Sequence, residues 1–178
     1  MQKIVVKLEE RLLKKERSAI YALQRSLFTW SEHLKKYLYY SSRPKWRILL
    51  WHNNQLVGSV SIVIRNVWVG KKRRQLGGIG NLGIREEFQG RGNAMVLLRE
   101  VEKLLRKEKV DFALLFCDQD RKGFYKKAGY IELEKSATYY SGSKLKRDEN
   151  PMLLPIILTK EEISFLTKNS LHIGRGIW

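Results

Sequence analysis

The chain has a single cysteine, Cys117. It cannot form an internal disulfide, and a fold stapled by such bridges is excluded. A lone thiol suits a reducing compartment, so a cytoplasmic location is expected. No apolar stretch approaches the roughly 20 residues that cross a bilayer. Residues 1–10 carry acids and lack a long apolar run, so no secretory signal is expected. His33, His52 and His172 stand apart with no partner at ligand spacing, and no metal site is expected. There is no internal repeat, linker or low-complexity block. Acids are also scarce: 18 Asp and Glu against 35 Lys and Arg give a net charge of +17. Such a balance fits nucleic acid, an anionic surface or an acidic partner. The basic residues are nevertheless spread in short groups, at Lys14-Lys15, Lys35-Lys36, 71–74, 103–109, Lys126-Lys127 and 144–147. None forms a tail. Solvated faces account for this pattern, and nucleic acid is not expected as a partner.

What is present suffices for one domain over 1–178, because 178 residues that are 43% hydrophobic can bury a substantial core. Residues 3–8 read as a short strand or as the lead into a helix over 8–28, with Leu12, Leu13, Ile20, Leu23 and Leu27 on one face. Thr29 or Ser31 caps a second helix that ends near Tyr40. Strands are expected over 46–51 and 56–69, with a turn at Asn53-Asn54. A hairpin tip over 70–74 leads into a strand over 75–84. Its glycines at 77, 78, 80 and 83 weaken it and invite a bulge or a close ligand approach. Ala94, Leu97, Leu98, Val101, Leu104 and Leu105 form a helical core stripe. Further strands are expected over 111–117, 130–134 and 152–158, and a short helix over 121–128 ended by Gly129. Residues 141–150 read as a polar, mobile loop. The class is α/β with a mixed, mostly antiparallel sheet flanked by helices.

The most informative segment is Gln89-Gly90-Arg91-Gly92-Asn93-Ala94. It lies between a strand and an amphipathic helix. A glycine loop there aims several backbone N–H groups at one point, where the positive end of the helix also sits. Phosphate or pyrophosphate suits such a site. A side chain on the loop would hold the ligand away from the backbone. A second element follows at Phe124-Tyr125-Lys126-Lys127-Ala128-Gly129-Tyr130.

Together the two elements resemble the GNAT superfamily of Gcn5-related N-acetyltransferases. Gln89, Gly92 and Ala94 fill the fixed places of that family's first motif. Phe124, Tyr125, Gly129 and Tyr130 fill those of a later one. The resemblance is specific over about 79–133 and looser elsewhere. It implies a coenzyme A thioester, acetyl-CoA, as acyl donor, and an amine of a small molecule or a protein as acceptor. It places the pyrophosphate on Gln89, Gly90, Arg91, Gly92, Asn93 and Ala94. The pantetheine arm would pair with the backbone of Leu82, Gly83 and Ile84, in a slot opened where that strand splays from 112–117. The basic excess would help attract this polyanion. Tyr125 falls where the family has a general acid for the leaving thiolate. A phenol with an ordinary pKa of about 10 is protonated at neutral pH and suits that role. A homodimer is left open.

The base is less determined. Glu86, Glu87, Asp118 and Asp120 are the carboxylates near the motifs. Glu86 and Glu87 face solvent on general grounds, and Asp120 serves instead as a cap for the helix of Tyr125. Cys117 either faces the acyl group or is an inert buried thiol. Trp30, Trp46, Trp51 and Trp68 line an acceptor pocket or build core. Within the superfamily the layout is most similar to the aminoglycoside 2′-N-acetyltransferase branch. Gly80 and Gly176, however, stand where that branch has acids for a polycationic substrate. Their absence, on a chain of charge +17, argues against aminoglycosides. Two other readings are a GNAT fold that senses acyl-CoA without turnover, and a nucleic-acid binder with a vestigial site.

Overall fold

A computed structural model describes residues 1–178. Its first segment, rich in β-branched residues, is a strand: β1 (Gln2–Leu8) pairs antiparallel with β2 (Trp46–His52), from Gln2↔His52 to Leu8↔Trp46. Asn53 and Asn54 take φ of 45° and 66°, which tightens the turn into β3 (Gln55–Val69). The chain then runs through β4 (Lys72–Ile84), α3 (Asn93–Lys107) and β5 (Phe112–Phe116). Beyond these lie α4 (Lys122–Lys127), β6 (Ile131–Glu132), β7 (Ala137–Ser141), β8 (Lys144–Asp148), β9 (Pro151–Pro155), α5 (Lys160–Lys168) and β10 (Leu171–Arg175). One sheet has the order β1-β2-β3-β4-β5-β9-β6 and a second has β10-β7-β8. In the larger sheet the pairs β1–β2, β2–β3, β5–β9 and β9–β6 are antiparallel, and β4–β5 is parallel. The class is α/β, with a mixed, mostly antiparallel sheet flanked by helices. No helix is long and apolar enough to cross a membrane.

The chain divides into two compact units: 1–63 with 79–101 and Trp178, and 64–78 with 102–177. In the first, α1 (Lys14–Leu27) and α2 (Glu32–Lys36) lie beside β1, β2 and part of β3. The expected helix over 8–28 starts later. Leu12 and Leu13 precede it in extended conformation, and Leu13 is exposed, because Glu16 accepts from the Leu13 amide at 2.8 Å and fixes the start there. Leu12, Ile20, Leu23, Leu38, Leu49 and Leu56 form the core beneath. Ser31, not Thr29, caps α2 by accepting from the Leu34 amide. That helix ends at Lys36 rather than near Tyr40. The His33 ring stacks on Tyr40 with centroids 5.3 Å apart, and its Nε2 lies 2.9 Å from the Tyr39 carbonyl, so the chain folds back instead of continuing.

Arg47 is the largest fully buried side chain. It stands in an otherwise apolar strand, with Nε donating to Glu9 Oε2 at 2.7 Å and Nη2 to the Leu38 carbonyl at 2.6 Å. Burial pulls its pKa down and Glu9 opposes that. Charged groups so placed persist only when paired. At the head of α3, Leu97 packs where a Cβ on Gly58 would come within 3.2 Å of it.

In the second unit, Leu105 of α3 fills the space a Cβ on Gly77 would need, 2.7 Å away. Parallel pairing joins Leu76–Gly78 of β4 to Phe112–Leu114 of β5. Arg74 pairs with Glu162 and with Asp111. Thr159 and Glu162 cap α5 reciprocally, with Glu162 N to Thr159 Oγ1 at 3.3 Å and Thr159 N to Glu162 Oε2 at 3.1 Å. Residues 141–150 correct the expectation of a loop. They hold the turn and second strand of a hairpin, β7–β8, paired from Ala137↔Asp148 to Ser141↔Lys144 around Gly142 at φ +61°. β10 adds in parallel to β7.

Candidate functional site

The loop between β4 and α3 is fixed from behind and open in front. Gln89 donates from Nε2 to the Ile84 carbonyl at 2.8 Å, closing the loop onto the end of the strand. Asn93 is buried; its Nδ2 donates to the Phe88 carbonyl at 2.8 Å, and its Oδ1 accepts from Gln2 Nε2 at 3.1 Å. Gly90 and Gly92 have φ of +70° and +76°, and a Cβ on either would meet nothing within 4 Å. Both need glycine for their backbone, and the space over both is free. Arg91 is exposed, its guanidinium 5.7 Å from the Phe88 ring centroid. Val96 donates to the Gly92 carbonyl at 3.0 Å, so the intrahelical bonds of α3 begin there. The amides of Gly92, Asn93, Ala94 and Met95 precede the first intrahelical donor. No acid lies in the first turn to neutralise that positive end. An anion such as a phosphate fits these donors and this open space.

Behind the loop, β4 is bent at Asn81, whose φ is +51°. A non-glycine thus takes left-handed backbone in this strand, and Gly77, Gly78, Gly80 and Gly83 do not. Side chains hold both flanks: Ser61 Oγ donates to the Gly80 carbonyl at 2.8 Å, and Asn81 Nδ2 to the Leu38 carbonyl at 3.4 Å. Leu82 and Gly83 are half-buried and Ile84 is buried. A Cβ on Gly83 would lie 2.6 Å from Leu27 Cδ1, so α1 covers that face of the strand. A Cβ on Gly80 would lie 2.9 Å from the main-chain carbon of Trp178 and 3.2 Å from its indole Cδ1. A glutamate at position 80 has no room here, which gives the glycine its physical reason.

Tyr125 belongs to the second unit, on α4. The Phe124 and Tyr130 rings lie 5.1 and 5.8 Å from its own. Its carbonyl accepts from the Ala128 amide at 2.9 Å and the Tyr130 amide at 3.1 Å, and Gly129 at φ +85° makes that reversal. Burial, with the nearby Cys117 adding to it, pushes the Tyr125 phenol up to about 12. The Tyr130 phenol is driven higher still by burial, and its hydroxyl is buried without a hydrogen-bond partner. Cys117 is half-buried, and burial also raises its thiol.

The four candidate carboxylates are all exposed. Asp120 does not cap α4, correcting that expectation: Arg121 holds the cap position without a side-chain bond, since a single 3₁₀ turn runs straight into the helix. Of the tryptophans, Trp51 packs against the core of Leu12, Ile20, Leu23, Leu38, Leu49 and Leu56. Trp30 and Trp68 are exposed, and Trp46 and Trp51 half-buried. Residues 82–84 and 89–94 are thus gathered in the first unit, and Tyr125, Cys117 and Tyr130 in the second. Sequence reading missed Ser61, Asn81 and Arg47. Only Arg47 left a signal, as a lone charge in an apolar strand.

A family model described as an acetyltransferase (GNAT) domain matches residues 10–132. Among solved structures, Escherichia coli ElaA superposes with a TM-score of 0.64 at 17% identity, covering 86% of this chain and 99% of that one. The GNAT family N-acetyltransferase YhbS from the same organism, in complex with CoA, superposes at 0.63 with 14% identity, covering 97% and 90%. The E. coli ribosomal-protein-S18-alanine N-acetyltransferase does so at 0.58 with 17% identity, covering 89% and 97%. At these identities the structures share the fold. A comparison with curated proteins finds no match. By the family match over most of its length, and by a fold in agreement with it, this chain belongs to the GNAT acetyltransferase family.

Proposed function

We propose that this chain is an N-acyltransferase, one domain over 1–178, that moves an acetyl group from acetyl-CoA to an amine. The observation that carries this reading is the loop at the head of α3, where Gly90 and Gly92 hold positive φ beneath open space and no acid opposes an anion. The structural neighbour YhbS is described with CoA bound, in keeping with that use of the loop. Gln89, Gly90, Arg91, Gly92, Asn93 and Ala94 would receive the pyrophosphate. The backbone of Leu82, Gly83 and Ile84 would pair with the pantetheine amides.

The amine must be neutral to attack the thioester carbonyl. As the carbon–sulfur bond breaks, the sulfur leaves as a thiolate and takes a proton from Tyr125; the new amide nitrogen sheds its extra proton to solvent, from which the phenolate is reprotonated. A phenol raised to about 12 stays protonated through the neutral range. It is a weak acid against an ordinary thiol near 8.5. Burial raises a thiol as it raises a phenol, as Cys117 shows, and this narrows the gap. The acceptor is an amine of a small molecule or a protein. The layout is similar to the aminoglycoside branch, but Trp178 fills the space beside Gly80 where that branch has an acid, which speaks against a polycationic acceptor. The same filled space favours one second reading, an acyl-CoA sensor without turnover.

The test is release of free thiol from acetyl-CoA across a panel of amines. With the best amine, Tyr125→Phe is expected to lower kcat by about 10²–10⁴-fold while the KM for acetyl-CoA holds. An unchanged kcat would remove Tyr125 from the chemistry. Binding of acetyl-CoA with no thiol release from any amine would favour the sensor.

A further inference from the structure

The sequence scatters its basic residues too widely to indicate a polyanion, but the register of the small sheet gathers two of them around exposed rings. Ala137, Leu171 and Ile173 are buried and define the inner face of β10-β7-β8. Residues of the other parity point outward. Pairing aligns His172–Thr138–Arg147 in one row, and a register shift between His172 and Arg175, with Gly174 at φ +87°, brings Arg175 into a second row with Tyr140 and Leu145. Tyr140 is 41% exposed and Leu145 58% exposed, and His172, Arg147 and Arg175 are exposed as well. The Tyr140 and His172 rings meet edge to face at 5.3 Å, and Thr138 Oγ1 lies 3.2 Å from His172 Nδ1, which steadies the ring. Lys144 and Lys146 pair with Ser141 and Tyr139 and so lie on the opposite face of β8, which is an edge of the sheet. At the end of β8, Asp148 pairs with Ala137 of the inner face, and Glu149 Oε1 lies 4.0 Å from Arg147 Nε.

We propose that this outward face binds single-stranded nucleic acid. The guanidiniums of Arg147 and Arg175 supply a polyanion's counter-charge on this face, and the chain's +17 draws such a ligand from a distance. Two exposed rings on a sheet offer stacking to bases that are not already stacked, which selects single strands over duplex. Lysines along the β8 edge discourage strand pairing with a second copy of the chain. The face shares no residue with the loop or with Tyr125, so the proposal does not depend on the acyltransferase reading.

The test is fluorescence anisotropy of a labelled oligothymidylate with the full chain, over a range of salt. Binding is expected to weaken about tenfold in Tyr140→Ala and to be retained in Tyr140→Phe, which keeps the stacking ring. Arg147→Ala is expected to reduce the salt slope by about 0.7. Each variant is checked for an unchanged circular dichroism spectrum. Equal or tighter binding of a polyglutamate peptide of the same charge would overturn the proposal in favour of an acidic polypeptide. Affinity unmoved by Tyr140→Ala would overturn it in favour of a merely basic surface.

Discussion

Replacing Gly92 by alanine separates what the loop does for the fold from what it does for a ligand. Gly92 has φ +76°, and a Cβ there meets nothing within 4 Å. The substitution therefore creates no clash. Its cost to the fold is the left-handed backbone of an L-residue, about 1–2 kcal/mol, and a lowering of Tm by a few degrees for a chain of this length. Gly142 is the matched reference: φ +61°, also with nothing within 4 Å, on the β7–β8 turn. Gly142→Ala carries the same strain without touching the loop. If phosphate oxygens approach the Gly92–Ala94 amides, a methyl at position 92 occupies their path. Hydrogen bonds to a charged group contribute about 1.5–3 kcal/mol each. Losing one weakens coenzyme A binding by roughly 10- to 150-fold. Calorimetry with CoA and thermal unfolding together decide the matter. The expected result is equal destabilisation in both variants and loss of affinity in Gly92→Ala alone. Equal affinities in the two variants would refute the anion-binding role of this loop.

Three further outcomes are expected. Arg47→Met leaves Glu9 buried without its main partner and should destabilise the protein by about 3–5 kcal/mol. The double variant with Glu9→Leu should recover most of that in urea unfolding, and a mild single-variant effect would show the pair to be dispensable. Gly80→Ala forces the Trp178 main chain away and should lose about 1–3 kcal/mol, whereas Gly123→Ala, with nothing within 4 Å and a helical site, should gain a few tenths or more; thermal unfolding compares them. With Tyr125 raised to about 12, the proton donor is present below that pH and lost as pH rises through it. The kcat profile should show no descending limb from this group below about pH 10, and a limb near 9 that disappears in Tyr125→Phe would contradict the assignment.

How legible the molecule is from its residues depends on where the information lies. The α3 stripe and the glycine loop are local: Leu97, Leu98, Val101 and Leu105 repeat at helical spacing, and the loop glycines stand directly before them. The β2–β3 turn announces itself through Asn53-Asn54. The β7–β8 hairpin is hidden, because Lys144 to Asp148 has no apolar face and its partner strand offers only Ala137 to the core. The end of α2 depends on a stack of His33 on Tyr40 that no propensity encodes. Gly80 is explained only by Trp178, distant in sequence. The bend in β4 falls on Asn81 because asparagine tolerates positive φ and its side chain finds the Leu38 carbonyl. The glycines around it answer to close packing, Gly77 against Leu105 and Gly83 against Leu27.

The most direct measurement is calorimetric titration of the protein with acetyl-CoA, with CoA as its companion. One site per chain is expected, with a dissociation constant below about 100 μM, roughly −5.5 kcal/mol. No heat from either ligand at millimolar concentration would contradict it, and would leave the loop before α3 as a turn without a ligand.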